Sequence, residues 1–198
     1  MVNYFRESNN LETPRIFIIS DLHLEHANIM KYCHRDQFDD VHQMNYEMVS
    51  RWNQTVGKFD TVYFLGDLVF SRNKGRNIRG WLHKLNGIKI FIWGNHDTYL
   101  KCKLPYLVIE FNGEPLLLVH SEDPDGGHNK ETLAHTGVCK ILTEWKETPW
   151  WIIHGHHHNN NLQKHPLINN ESHMINVSAE LLDYRPIELG KLLAMRAR

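Results

Sequence analysis

Apolar positions along this chain follow two patterns. Short continuous runs of strand length, rich in β-branched and aromatic residues, occur at 16–19 (I-F-I-I), 62–65 (V-Y-F-L), 89–92 (K-I-F-I), 116–119 (L-L-L-V) and 151–153 (W-I-I). Weaker strand signals lie at 107–109 and 174–177. Between the runs, Val41, Met44, Met48, Trp52 and Val56 recur at helical spacing, as do Ile78, Trp81, Leu82 and Leu85. A third, less regular helix is expected around 138–145. The apolar stripe of each helix reads as core. Strand–helix alternation predicts an α/β domain. With no repeat, low-complexity stretch or linker, residues 1–198 are expected to form one domain.

Composition narrows the class. A hydrophobic share of 41% and a charged share of 23% are ordinary for a soluble globular protein. A net charge of -1 excludes a global basic field for nucleic acid or anionic membrane, leaving room only for a local patch. Cys33, Cys102 and Cys139 are odd in number, far apart and not in Cys-x-x-Cys spacing, so neither disulfides nor a thiolate zinc site is expected. The opening M-V-N-Y-F-R-E-S-N-N has no apolar leader, and no run reaches membrane-spanning length. A cytoplasmic location without a membrane partner is therefore expected. The abnormal count is 15 histidines.

About half of those histidines, with several acids, stand at or just past the ends of the strand runs. Asp21-Leu22-His23 follows the first run, Gly66-Asp67 the second, and Gly94-Asn95-His96-Asp97 the third. His120 follows the fourth, and His154-Gly155-His156-His157-His158 closes the fifth. Strand ends of open α/β sheets are where sites assemble. If the backbone stays extended, residues i and i+2 point the same way. Asp21 and His23 then grip one ion together, and so do His156 and His158. The two oxygens of Asp67 suit it to bridge two metals ~3.5–4 Å apart. The glycines before Asp67, Asn95 and His156 allow close backbone approach. Imidazole, carboxylate and amide donors together suit Mn²⁺, Fe or Zn²⁺ better than Ca²⁺ or Mg²⁺ alone. Two divalent ions against Asp21 and Asp67 leave a surplus of about two positive charges, a match for a phosphate ester.

In this order the blocks Asp21-x-His23, Gly66-Asp67, Gly94-Asn95-His96-Asp97, His120 and Gly155-His156-x-His158 resemble the calcineurin-like metallophosphoesterases, over residues 16–158. The stretches D-L-H-L-E-H-A-N-I-M (21–30) and N-V-S-A-E-L-L-D-Y-R-P-I (176–187) are similar to a small bacterial and phage branch of that superfamily. The resemblance implies a four-layer α/β/β/α sandwich: two mixed β-sheets face to face, flanked by helices, with the metal site at strand C-terminal ends. It implies Asp21, His23, Asp67 and His158 around one ion, and Asp67, Asn95, His120 and His156 around the other. The ions would be Mn²⁺ first, with Fe, Zn²⁺ or Ni²⁺ as alternatives. The implied reaction is in-line attack on phosphorus by metal-bound hydroxide, with His96, not a ligand, protonating the leaving oxygen.

Other positions carry two readings each. Asp97 either tunes His96 or shapes a turn. His26 and Asn28 either line the substrate pocket or serve a cap. Arg35, and Arg72 with Lys74 and Arg76 in the loop 71–77, either bind an anion or are solvated. The acidic loop 121–129 after His120 matches no motif and either shapes selectivity or points away. His42, His83, His128, His135, His165 and His173 are read as surface or core residues. Alternation places His154 beside the site without a metal bond and turns His157 away, where it is the more freely replaceable. No inserted cap domain fits into 198 residues, so an open, shallow site is expected. The leading function is hydrolysis of phosphodiesters of nucleotide or nucleic-acid type. Its rivals are a broad phosphomonoesterase, a non-catalytic metal-binding scaffold on the same fold and, more distantly, a structural zinc protein.

Overall fold

The computed structural model of the protein describes residues 13–70, 78–97, 104–123 and 137–196. Each of the five strong apolar runs forms a strand, and two sheets result. In the first, β1 (Ile16–Ile19), β2 (Thr61–Phe64) and β3 (Ile88–Phe91) are parallel, and β9 (Ile187–Glu188) joins β1 antiparallel, giving the order β3-β2-β1-β9. The second has the order β4-β5-β6-β8-β7, from β4 (Tyr106–Phe111), β5 (Glu114–Val119), β6 (Trp151–His154), β7 (Ile168–Asn169) and β8 (Met174–Asn176). There β5, β6 and β8 run parallel, and the edge strands pair antiparallel. The weak signal at 107–109 lengthens into β4 because Asn112 (φ 52°) and Gly113 (φ 81°) make the tight left-handed turn that a two-residue hairpin requires.

The helices cover the outer faces. Helices α1 (Ala27–Tyr32) and α2 (Val41–Thr55) lie between β1 and β2, α3 (Ile78–Lys84) between β2 and β3, α4 (Val138–Lys146) between β5 and β6, and α5 (Leu189–Ala194) after β9. Asp40 caps α2, its carboxylate accepting from the N–H groups of His42 and Gln43, both at 2.8 Å. Such a cap contributes about 1 kcal/mol. Met44, Met48 and Trp52 of α2 are fully buried, as the helical periodicity predicts.

Strand β5 shows why the central runs are apolar at every position. Leu116 and Leu118 join the large core shared with the first sheet, whereas Leu117 and Val119 pack with Val138, Leu142 and Trp145 of α4. A strand covered on both faces reads as a continuous apolar run. The result is the four-layer sandwich.

The sheets are laced together beyond their C-terminal strand ends. Asp21 N–H donates to Gly66 O at 3.0 Å and His23 N–H to Asp67 O at 3.0 Å, within the first sheet. Gly155 N–H donates to His120 O at 2.9 Å within the second, and Ser20 N–H crosses to Val177 O at 3.0 Å. These bonds gather the post-strand residues of both sheets at one place.

Candidate metal centre

Asp21, His23, Asp67, Asn95, His120, His156 and His158 converge where the two sheets meet, though not by strand alternation. Asp21 (φ 59°), His23 (φ 50°), Asp67 (φ 60°), His156 (φ 73°) and His158 (φ 51°) all have left-handed backbone. Each such non-glycine residue costs about 1–2 kcal/mol, sustained here by the backbone bonds above. Asp21 and His23 meet because the chain coils, and His156 and His158 diverge for the same reason. The glycines serve close approach as expected. A Cβ on Gly94 would lie 2.6 Å from Asp67 N, and one on Gly155 would overlap the Asp21 carboxylate and Ser20.

Two overlapping groups of donor atoms result. His23 Nε2 lies 3.8 Å from Asp21 Oδ1 and 3.5 Å from Asp67 Oδ2, while His158 Nε2 is 3.9 Å from Asp21 Oδ1. His120 Nε2 lies 3.5 Å from Asp67 Oδ2 and 2.9 Å from Asn95 Oδ1, and His156 Nδ1 is 3.1 Å from Asn95 Oδ1 and 3.3 Å from His120 Nε2. Donors held at ~2.1 Å by one ion can stand up to ~4.2 Å apart, and each of these separations lies within that reach. Asp67 belongs to both through one oxygen, Oδ2. Its Oδ1 accepts the His96 N–H at 2.9 Å. Asp21 divides its labour similarly. Oδ2 accepts from His156 N–H at 2.8 Å and Ser178 Oγ–H at 3.2 Å, and Oδ1 has no hydrogen-bond partner.

Hydrogen-bond accounting supports cations here. His23 is buried with neither ring nitrogen partnered, and burial pushes its pKa well below the ordinary range against the pull of Asp67. A buried polar group without a partner costs about 1–3 kcal/mol. His120 donates Nδ1–H to Leu65 O at 2.6 Å, so the neutral ring turns a lone pair toward Asp67 Oδ2 and Asn95 Oδ1, both acceptors. Burial alone would lower His120, but the Asp67 charge and hydrogen bond outweigh it and lift the pKa to about 10. That lift measures how strongly this corner calls for positive charge, from a proton or a metal ion.

Glu180 and Arg35 complete the support, and the sequence reading missed Glu180. His158 donates Nδ1–H to Glu180, at 2.9 Å from Oε1, which leaves Nε2 free to face Asp21. Arg35 is fully buried, donating to Glu180 Oε1 at 2.7 and 2.9 Å and to the carbonyls of Asp21 at 2.9 Å and Leu22 at 2.8 Å. It therefore braces the first motif and is no anion-binding side chain. Against burial, the charge of Arg35 holds the Glu180 carboxyl down at about 2.

Asp97 takes its turn-shaping role. It accepts from the N–H groups of Asp67 (2.7 Å), Gly94 (3.0 Å) and Leu68 (3.3 Å), tying the second motif to the third. Burial, with the Asp67 charge beside it, raises its pKa to about 7. His96 stands at the mouth, its side chain 34% exposed and Nε2 4.0 Å from Asp67 Oδ2. Phe70 packs edge-on to His96 at 5.2 Å and lies 4.1 Å from the His26 ring, centroid to centroid. His26 begins α1 without a side-chain cap bond, and Asn28 is exposed. Arg72, Lys74 and Arg76 lie outside the described residues, as do His128 and His135.

A second cluster adjoins the first. Glu122, from the acidic loop, is buried and turned inward: Oε2 lies 2.8 Å from His157 Nε2 and 3.3 Å from His154 Nδ1, and Oε1 lies 3.0 Å from His165 Nδ1. Burial would raise its pKa, but the imidazoles hold the carboxyl well below its usual range. Glu122 is thus neither a selectivity filter nor directed away from the protein. His157 and His165 share one buried carboxylate, and His165 is itself buried. Nothing in local spacing links the three, which are 35 and 8 residues apart along the chain.

Among the described residues no helix is long and apolar enough to cross a membrane. A family model for calcineurin-like phosphoesterases matches residues 14–187. The chain is 41% identical over 181 residues to the uncharacterized protein MJ1445 of Methanocaldococcus jannaschii, covering 91% of this chain and 90% of that protein. It is 31% identical to the Gene 66 protein of Mycobacterium phage L5, covering 70% and 75% respectively. A protein of unknown function from Aquifex aeolicus, AQ665, shares the fold, with a TM-score of 0.64 at 23% identity over 92% of this chain and 100% of that one.

Proposed function

The chain belongs to the calcineurin-like phosphoesterase family, a family of metal-dependent hydrolases of phosphoesters, and we propose on that premise that it is a dinuclear phosphodiesterase of nucleotide or nucleic-acid type. The observation that carries the reading is the pair of donor groups sharing Asp67 Oδ2, with the buried His23 nitrogens and Asp21 Oδ1 left without partners. Asp21, His23, Asp67 and His158 would hold one ion, and Asp67, Asn95, His120 and His156 the other. When bound, two Mn²⁺-class ions supply Lewis-acid charge to the phosphoryl oxygens and bring the pKa of a water toward neutrality.

The chain's own residues do the rest. Glu180 and Leu65 O fix the tautomers of His158 and His120, so each ring would offer an ion its lone pair. His96, partly exposed at the mouth, would give a proton to the leaving oxygen and take another from solvent. Half-buried His26 and exposed Phe70 offer the substrate an aromatic edge beside that proton donor. A purely scaffolding role is opposed by the complete donor set together with His96.

The test is hydrolysis of bis-p-nitrophenyl phosphate by purified protein with added Mn²⁺, followed by a screen of cyclic nucleotides, dinucleotides, short RNA and DNA, and monoesters. Diesters should be turned over faster than monoesters, and Asp67→Asn should abolish both metal loading and turnover. Full activity in Asp67→Asn would sink the bridging assignment, and a clear monoester preference would sink the diester one.

A further inference from the structure

Glu122, His157 and His165 each present one donor atom, and the three lie within 4.8 Å of one another. Both histidines aim at the same carboxylate, Nε2 of His157 at 2.8 Å and Nδ1 of His165 at 3.0 Å, with their rings stacked 3.5 Å apart and 4° from parallel. His154 adds its Nδ1–H, shared between Gly155 O at 3.0 Å and Glu122 Oε2 at 3.3 Å. It thereby fixes the carboxylate while keeping its own nitrogen protonated and off any ion. Lys146 Nζ donates to the backbone carbonyl of Glu122 at 3.0 Å, anchoring the residue from α4.

We infer that Glu122, His157 and His165 form a further site for a divalent transition ion of the Zn²⁺ class, separate from the strand-end centre. Two imidazoles and a carboxylate are a donor set that holds Zn²⁺ while leaving a coordination position open to water. Tetrahedral donors at ~2.0–2.2 Å from one ion stand ~3.3–3.6 Å apart, so taking up an ion requires the group, already within 4.8 Å, to rearrange around it. The stacked rings must splay so that the ion lies in both ring planes. His157 can do so, being 19% exposed at its side chain where Glu122 is 6%. Charge also fits: one carboxylate with two neutral imidazoles leaves an ion of two positive charges one short of neutrality, suited to a hydroxide or an anionic ligand. The site is coupled to the strand-end centre through the chain, since His157 lies between His156 and His158 and its ring is 5.2 Å from that of His156. An ion here would brace the loop that supplies two donors to the other centre.

The experiment counts ions. Wild-type protein and His165→Gln are equilibrated with the same Zn²⁺ buffer, passed through gel filtration and analysed for zinc per chain. Wild type should retain one ion more than His165→Gln, whatever number the strand-end centre holds, so failure here is distinct from failure of the dinuclear reading. Equal zinc in the two proteins overturns the inference. Glu122→Gln and His157→Gln, read the same way, should each lose that one ion. Co²⁺ absorption of the wild type gives a readout free of substitution: a population of tetrahedral ligand-field intensity missing from His165→Gln supports the site, and superimposable spectra overturn it.

Discussion

One pentapeptide feeds two imidazole–carboxylate clusters of different character. His156 and His158 enter the strand-end centre, while His154 and His157 turn to Glu122. In the strand-end centre, Asp21 Oδ1 and both nitrogens of His23 are buried without partners. In the Glu122 cluster, both carboxylate oxygens meet imidazole nitrogens at hydrogen-bond distance. Unsatisfied buried groups cost free energy that an ion would remove, so the first centre is expected to gain from ions. The second rests on protons and is stable without one. The difference lies not in residue type but in which hydrogen bonds the surrounding backbone leaves unmade.

The contrast can be broken at three points. The largest effect is expected for His96→Ala, which should retain its metals yet lose about 10²–10⁴ in rate, most severely for poor leaving groups. Loss of metal in that variant would make His96 part of the ion-holding set and redraw the centre. Stripping metals with a chelator should come next, lowering the melting temperature of the wild type by on the order of 5–10 °C, the effect of ligands bound far above their dissociation constants. An unchanged melting temperature would mean that the unpartnered groups of the strand-end centre do not need ions, and the comparison would fail. The smallest effect is expected for Glu180→Gln, which weakens the acceptor for His158 Nδ1–H. Affinity of the strand-end centre should fall about 10–100-fold, with the zinc count at Glu122 unchanged. An unaltered metal titration would reduce Glu180 to a buried partner of Arg35.

Much of the arrangement was legible because strand-length apolar runs and the polar residues after them are local features. Asp21, His23, Asp67, Asn95, His120, His156 and His158 stood out among the post-strand residues, and the family resemblance gave them their expected roles. The reason offered for their meeting was less sound. Alternation assumes extended backbone, and five of these residues are left-handed. Arg35 looked like a solvated or anion-binding cation because its burial depends on Glu180, 145 residues away. Asp97 was ambiguous for the same reason, its partners being backbone N–H groups of another loop.

The sequence by itself determined the α/β class, the strand ends where chemistry gathers and the residue types that meet there, because hydrophobic period and motif order are written along the chain. The four-layer order followed from the family resemblance. Only the tertiary structure decided which atoms face one another. It assigned Asp67 Oδ2 to both donor groups, gave His158 its Glu180, and sent His157 to Glu122 and His165. Those pairings join strands of two sheets and loops far apart in the chain. They exist only once close packing and the bonds beyond the strand ends have fixed each backbone in place.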